Sequence, residues 1–236
     1  MLLLFTDLDD TLFTSARKAA PTPAHVPLAY LKDGAPISYA SPCQQALLAH
    51  WQAHATMIPV TARNLDAYRR VRIPFTAHAV INHGGVILLP DGSADPAWLA
   101  QSRANAAQSV AGLEALAARL PATAALNTRL IRDYDIPFYL LMKSTSADLA
   151  PLDDAAGRLR PHLGDAYRLH QNGNNLAVLP AWLDKAHAVA RLLAKYRADH
   201  PALVSIGFGD SSSDLPYMRL CDYLLAPSAS QIARQL

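Results

Sequence analysis

The feature that most constrains the fold of this chain is an alternation of short β-rich runs with helical patterns, present at both ends of the sequence and broken off between them. It begins with LLLFT at 2–6, a helical pattern near 42–54, TMIPVT at 56–61, a helical pattern near 64–72 and AHAVIN at 77–82. It resumes with a helical pattern near 183–198, LVSIGF at 203–208, a helical pattern near 213–220 and the strand-like YLLA at 223–226. Such alternation predicts a parallel sheet with covering helices, so two separated segments are expected to build one α/β core.

The texture between them is different. Residues 95–119 are Ala-rich and helical in pattern; then come TRLIRDY at 128–134, FYLLMK at 138–143 and a helical stretch near 146–160. The runs AYRLHQ and NLAVLP are joined through Asn172-Gly173-Asn174, a hairpin signal. Hairpins cannot connect parallel neighbours, so residues of about 84–178 read as an α+β lobe with an antiparallel sheet, inserted into the core. A second hairpin is expected at 29–40, turning at Asp33-Gly34, where it could form a flap.

Composition removes several classes. With 236 residues, 51% hydrophobic and 17% charged, the chain is neither disordered nor too small to bury a substantial core. Its apolar runs fall short of the ~18 residues of a membrane span, so no membrane association is expected. Met1 to Phe5 is apolar but has no basic segment before it and three aspartates within the next five residues; it reads as a buried strand rather than a signal peptide, and a cytoplasmic protein is expected. Cys43 and Cys221 lack disulfide or zinc spacing and read as small buried side chains. A formal charge of +2, without basic stretches interleaved by aromatics, argues against a nucleic-acid partner.

Three polar motifs each follow an apolar strand: Asp7-Leu8-Asp9-Asp10-Thr11, Thr61 after MIPV, and Asp210-Ser-Ser-Ser-Asp214 after LVSIGFG. Each alone is compatible with a turn, a strand end or a helix cap. Together, in order and each after a strand, they would meet at the carboxyl edge of one parallel sheet, where doubly wound folds place ligands. Carboxylates from Asp7, Asp9, Asp210 and Asp214 gathered there would repel by about 4 kcal/mol per pair at ~4 Å and an effective dielectric near ~20. They call for a cation. Hard oxygen ligands without nearby His or Cys select Mg²⁺, which bridges to phosphate, so a small phosphorylated metabolite is the expected partner.

DLDDTL at 7–12, Thr61, Lys185 in LPAWLDKAHAV and GDSSSDLPYM at 209–218 resemble the four motifs of the haloacid dehalogenase-like (HAD) superfamily, in which Asp-x-Asp marks the phosphotransfer branch. The resemblance implies a Rossmann-like α/β core of residues 1–83 and 179–236 carrying an inserted α+β cap of 84–178. The position of the insert resembles the type IIB cap of the Cof-like, sucrose-phosphate and trehalose-phosphate phosphatases, and Asn82-His83-Gly84-Gly85 loosely resembles the stretch that opens it. Asp10 stands where the family pattern usually has Gly, and Ser213 where it often has Asn. Asp10 reads as a turn residue without a chemical part, and Ser213 removes a carboxamide from around the metal.

Carried over residue by residue, the resemblance makes Asp7 the nucleophile and Asp9 the acid/base. Mg²⁺ would be held by Asp7, the Asp9 carbonyl and Asp210, with Asp214 orienting the ligands or Lys185. Lys185 and Thr61 would meet the phosphoryl oxygens. The chemistry gives independent reasons: a carboxylate attacks a phosphate dianion only when cations neutralise the developing charge. Arg63, in Thr-Ala-Arg, resembles an arginine that meets substrate in several type II phosphatases. Arg132, Lys143, His170, Asn172 and Asn174 in the insert are further candidate substrate contacts, whereas Arg69, Arg70 and Arg72 read as a solvated helix face. The expected activity is Mg²⁺-dependent hydrolysis of a small phosphate monoester, a sugar phosphate, by a monomer or small homo-oligomer. A sugar phosphomutase and a catalytically idle ligand-binding module are the alternatives.

Overall fold

A computed structural model describes every residue except Ala147 and Leu236. The chain forms two compact units: Met1–Trp98 with Asp184–Leu236, and Leu99–Leu183 between them.

The first unit is built on a parallel sheet in the order β13-β12-β1-β5, with β1 at Leu2–Thr6, β5 at Thr56–Pro59, β12 at Val204–Phe208 and β13 at Tyr223–Leu225. Strand β1 is central, and its side chains alternate between two cores. Leu3 and Phe5 pack with Val189, Leu192 and Tyr217, while Leu4 packs with Leu48, Met57 and Phe208. Burial on both faces is why β1 reads as an unbroken apolar run.

Helix α1 (Pro42–His54) starts from a capping box made by Ser41 and Gln44, with proline at its first position. Helix α5 (Lys185–Asp199) is capped by Asp184, which accepts from the Ala186 amide at 2.8 Å. Cys43, expected to be buried, is exposed at the start of α1; Cys221 is buried.

Three expected elements are shorter or lie elsewhere. Strand β6 (Ala79–Ile81) joins the parallel sheet through a Val60–Val80 bridge and pairs antiparallel with β7 (Val86–Leu88). Helix α2 is confined to Leu65–Tyr68, because the following residues join the hairpin of β3 (Val26–Tyr30) and β4 (Pro36–Ala40). The Arg72 amide donates to the Leu28 carbonyl at 2.7 Å, and Arg70 Nε donates to the Tyr30 carbonyl at 3.0 Å. Arg70 and Arg72, read from sequence as a solvated helix face, therefore pin the hairpin, with Arg72 over the Tyr30 ring at 5.9 Å. A short strand β2 (Thr14–Ser15) completes this sheet, and Gly34 sits at the expected turn with φ +85°. Helix α6 is likewise short, Leu215–Met218, and Asp214 at its start gives its carboxylate to Lys185 and Ser211 rather than to helix amides.

The second unit is an antiparallel sheet in the order β10-β11-β9-β8, with β8 at Leu126–Asp133, β9 at Ile136–Ser144, β10 at Tyr167–Asn172 and β11 at Asn175–Pro180. Helices α3 (Pro96–Ala117) and α4 (Ala150–Leu159) pack on one face through Leu113, Leu152, Leu140, Met142, Leu176 and Val178. The expected Asn-Gly hairpin is present, with Asn172 opposite Asn175. The β8–β9 turn is made by Tyr134 and Asp135, both at positive φ and without the usual glycine.

Candidate active site

Asp7 follows β1 directly, and its amide donates to the Phe208 carbonyl at 2.8 Å, joining the ends of β1 and β12. Thr61 lies just past β5, and Asp210 follows Gly209 at the end of β12. The three strand-end motifs thus share the carboxyl edge of one parallel sheet, as their positions in the sequence require.

Lys185 is the centre of this edge. Its ammonium donates to Asp7 Oδ1 and to Asp214 Oδ1, both at 2.7 Å, and all three side chains are buried. A lysine in the first turn of a helix is ordinarily solvated. Here the turn at 82–85 packs against the start of α5 so closely that a Cβ on Gly84 would lie 2.3 Å from the Asp184 carbonyl oxygen. Gly84 also has φ +96°, and Asn82 and His83 before it are left-handed, at φ 52° and 55°. The turn is tied to the Thr61 loop, since the Asn82 amide donates to the Arg63 carbonyl at 2.8 Å and the His83 amide to the Thr61 carbonyl at 3.1 Å.

Asp214 is oriented by Ser211, whose amide and hydroxyl both donate to Asp214 Oδ2, at 3.0 and 2.8 Å. Ser211 and Ser213 share a hydroxyl hydrogen bond of 2.7 Å. Gly209 is needed beneath them, because a Cβ there would stand 2.5 Å from Asp214 Cβ. Sequence reasoning missed Ser211; the signal was its position three residues before the aspartate, the spacing of a side chain–backbone turn. It also missed Tyr217, which is fully buried, donates to the Phe208 carbonyl at 2.6 Å and presents its ring to the Lys185 ammonium at 5.8 Å.

The electrostatics are unbalanced. Asp7, Asp210 and Asp214 each offer a carboxylate oxygen, all within 4.8 Å of one another, and among the described residues Lys185 is the lysine or arginine buried with them. Burial pulls the ammonium down, but Asp214 and Asp7 outweigh it and hold Lys185 above its ordinary range. Burial pushes the Asp7 carboxyl well up; Lys185 opposes this, and the charges of Asp214 and Asp9 add to it. Asp210 is pushed up to about 6 by burial, then by Asp214 and Asp10. Hard oxygen donors that resist ionising together fit a divalent cation of the hard class.

Asp9 points its carboxylate elsewhere. Its two oxygens accept from Arg63 Nε and Nη2 at 2.7 Å each, and its side chain is not in the oxygen cluster. The Thr61 hydroxyl oxygen, deeply buried, accepts from the Arg63 amide at 3.2 Å. Asp10 is left-handed at φ 63°, the conformation glycine takes most easily, and pairs with Lys18. Thr11 reaches Asp210 Oδ1 at 3.4 Å.

The remaining candidates belong to the second unit. Lys143, His170 and Asn172 alternate with residues that pack on the helices, so they lie on the opposite face of the sheet. A bulge puts Arg132 opposite Pro137. Asn174 is in the β10–β11 turn and donates to the Ser144 carbonyl at 3.3 Å.

No protein-family profile and no curated protein matches the sequence. Solved structures do match the fold. Sucrose-phosphatase from Synechocystis sp., in complex with sucrose and phosphate, superimposes with a TM-score of 0.57 at 17% identity, covering 99% of this chain and 86% of that one. The C-terminal domain of C. albicans trehalose-6-phosphate phosphatase gives 0.59 at 14% identity, over 92% and 73%. A protein of Thermotoga maritima gives 0.57 at 13% identity, over 100% and 90%. The chain shares the fold of these structures, with a parallel sheet and a separate antiparallel sheet.

Proposed function

We propose that this protein hydrolyses a small phosphate monoester, a sugar phosphate, through an aspartyl-phosphate formed on Asp7 and with Mg²⁺ as cofactor. The observation that carries this reading is the buried Asp7–Lys185–Asp214 arrangement with Asp210 beside it, on the carboxyl edge of the sheet. Buried charges are costly and are retained where chemistry uses them. The sugar class is supported by the two neighbouring structures that are named for sugar-phosphate hydrolysis.

In this reading Asp7 attacks phosphorus, the bond from phosphorus to the ester oxygen breaks, and Asp9 in its acid form gives its proton to the departing alkoxide. Water then attacks the aspartyl-phosphate, Asp9 takes back a proton, and phosphate leaves with Asp7 restored. Lys185 and Thr61 bind the phosphoryl oxygens. Asp7, the Asp9 carbonyl and Asp210 would hold Mg²⁺, backed by Asp214; when bound, the ion supplies the positive charge that lets two anions approach. The second unit, Leu99–Leu183, would supply substrate selectivity through residues such as Lys143 and His170.

A phosphate-release screen over sugar phosphates, nucleotides and phosphorylated cofactors, with and without Mg²⁺, tests the activity. Release that needs Mg²⁺ and disappears in Asp7→Asn supports it; Mg²⁺-independent release, or an active Asp7→Asn protein, removes it.

A further inference from the structure

The Asp9–Arg63 pair is asymmetric. The Arg63 side chain is 15% exposed and that of Asp9 45%. Arg63 is fixed from several sides: its amide donates to Thr61 Oγ1, its carbonyl accepts from Asn82 at 2.8 Å, Nη1 donates to the Ala67 carbonyl at 3.2 Å, and the guanidinium lies 5.3 Å from the Phe13 ring centroid. Nε and Nη2 grip the two oxygens of Asp9. A planar fork of this kind sets both the plane and the direction of a carboxylate, which a lysine could not do. Each oxygen keeps a further lone-pair site outside the fork.

We propose that Arg63 is a positioning residue for Asp9: the anchored guanidinium aims the exposed carboxylate for proton transfer, and Arg63 does not bind the phosphoryl group itself. This rests on the reading of Asp7 as nucleophile and Asp9 as acid/base, and it replaces the substrate contact expected of Arg63 from sequence. Asp9 has two proton transfers to make, one in each half of the reaction. Loss of the fork therefore slows the second half even when the leaving group needs no proton.

The test uses the full chain with Mg²⁺ and p-nitrophenyl phosphate, whose leaving group departs unprotonated. Arg63→Ala is expected to lower kcat by about 10- to 100-fold, at or below the lower end of acid–base contributions because Asp9 itself remains, and to show a burst of nitrophenolate as phosphoenzyme accumulates. Competitive inhibition by inorganic phosphate should change less than about 3-fold. Arg63→Lys, which keeps the charge but not the fork, should be impaired like Arg63→Ala, and it serves in its place if the alanine variant does not fold. In an Asp9→Asn background the Arg63 substitution should cost nothing more. Full activity in Arg63→Lys, a large rise in the phosphate inhibition constant, or an additive double variant would overturn the proposal. If the parent chain is inactive, or Asp7→Asn is active, the underlying reading has failed; if those controls hold and the Arg63 results do not, the inference alone has failed.

Discussion

The two units bury different kinds of group. In the first, Asp7, Asp214 and Lys185 are nearly inaccessible to solvent. In the second, the buried polar residues among those described are Ser102, Ser109 and Ser144, and Ser109 and Ser144 bond to nearby carbonyls. An effective desolvation penalty of several kcal/mol accompanies each buried ion, whereas a buried serine with a partner costs little. The first unit therefore carries charge that folding alone would not select. The second is a helix-covered sheet whose core follows apolar packing rules.

The largest expected effect breaks the comparison at Asp7. Asp7→Asn keeps the shape of the side chain but not its nucleophilicity, and phosphate release should fall by at least about 10³-fold with the far-UV spectrum unchanged. Lys185→Met should abolish release as well and also destabilise the fold. It leaves Asp7 and Asp214 buried without their cation, at a cost of about 3–5 kcal/mol in urea unfolding that added Mg²⁺ should partly restore.

In the second unit the expected pattern is reversed. Leu140→Ala opens a cavity in an apolar core and should lower stability by about 2–5 kcal/mol, while turnover of p-nitrophenyl phosphate by the folded protein stays within about 3-fold. An equal loss of chemistry would mean that the division between the units is wrong.

A smaller effect concerns pH. Asp210 is raised to about 6 and Asp7 is raised as well, so between the ordinary carboxylate range and that value the folded state binds more protons than the unfolded one. Stability of the metal-free protein should therefore fall as pH rises through this window. A cation that replaces the proton should reverse the fall, so Mg²⁺ should raise the melting temperature more at pH 7.5 than at pH 5. Equal shifts at the two values would argue against metal binding at Asp7 and Asp210. The smallest effect is expected at Lys143→Ala, which should alter stability by less than about 0.5 kcal/mol and raise KM for a sugar phosphate without changing kcat for p-nitrophenyl phosphate.

Much of the core could be read from the chain because β1, β5 and β12 are short apolar runs flanked by polar strand ends, and α1 and α5 begin with recognisable caps. The second unit's hairpin at Asn172–Asn175 was legible for a similar local reason. What failed were elements decided by long-range partners. Residues 69–72 have a helical pattern but leave α2 to pair with the hairpin, and AHAVIN, bridged in parallel at Val80 as its pattern suggests, also turns back into an antiparallel pair with β7. Arg63 shows the same limit in the site: its place in Thr-Ala-Arg was visible, but its partner Asp9, 54 residues away in sequence, was not.

The sequence by itself determined that Asp7, Thr61 and Asp210 follow strands and so must gather at one sheet edge, because chain direction and strand order leave a parallel sheet no other place for them. Only the tertiary structure decided what each group meets there. Gly84 lets a left-handed turn press against α5 and puts Lys185 between Asp7 and Asp214; Ser211 aims Asp214; and Arg63 takes hold of Asp9. Those pairings depend on close approach between distant segments, and local pattern carries no record of that distance.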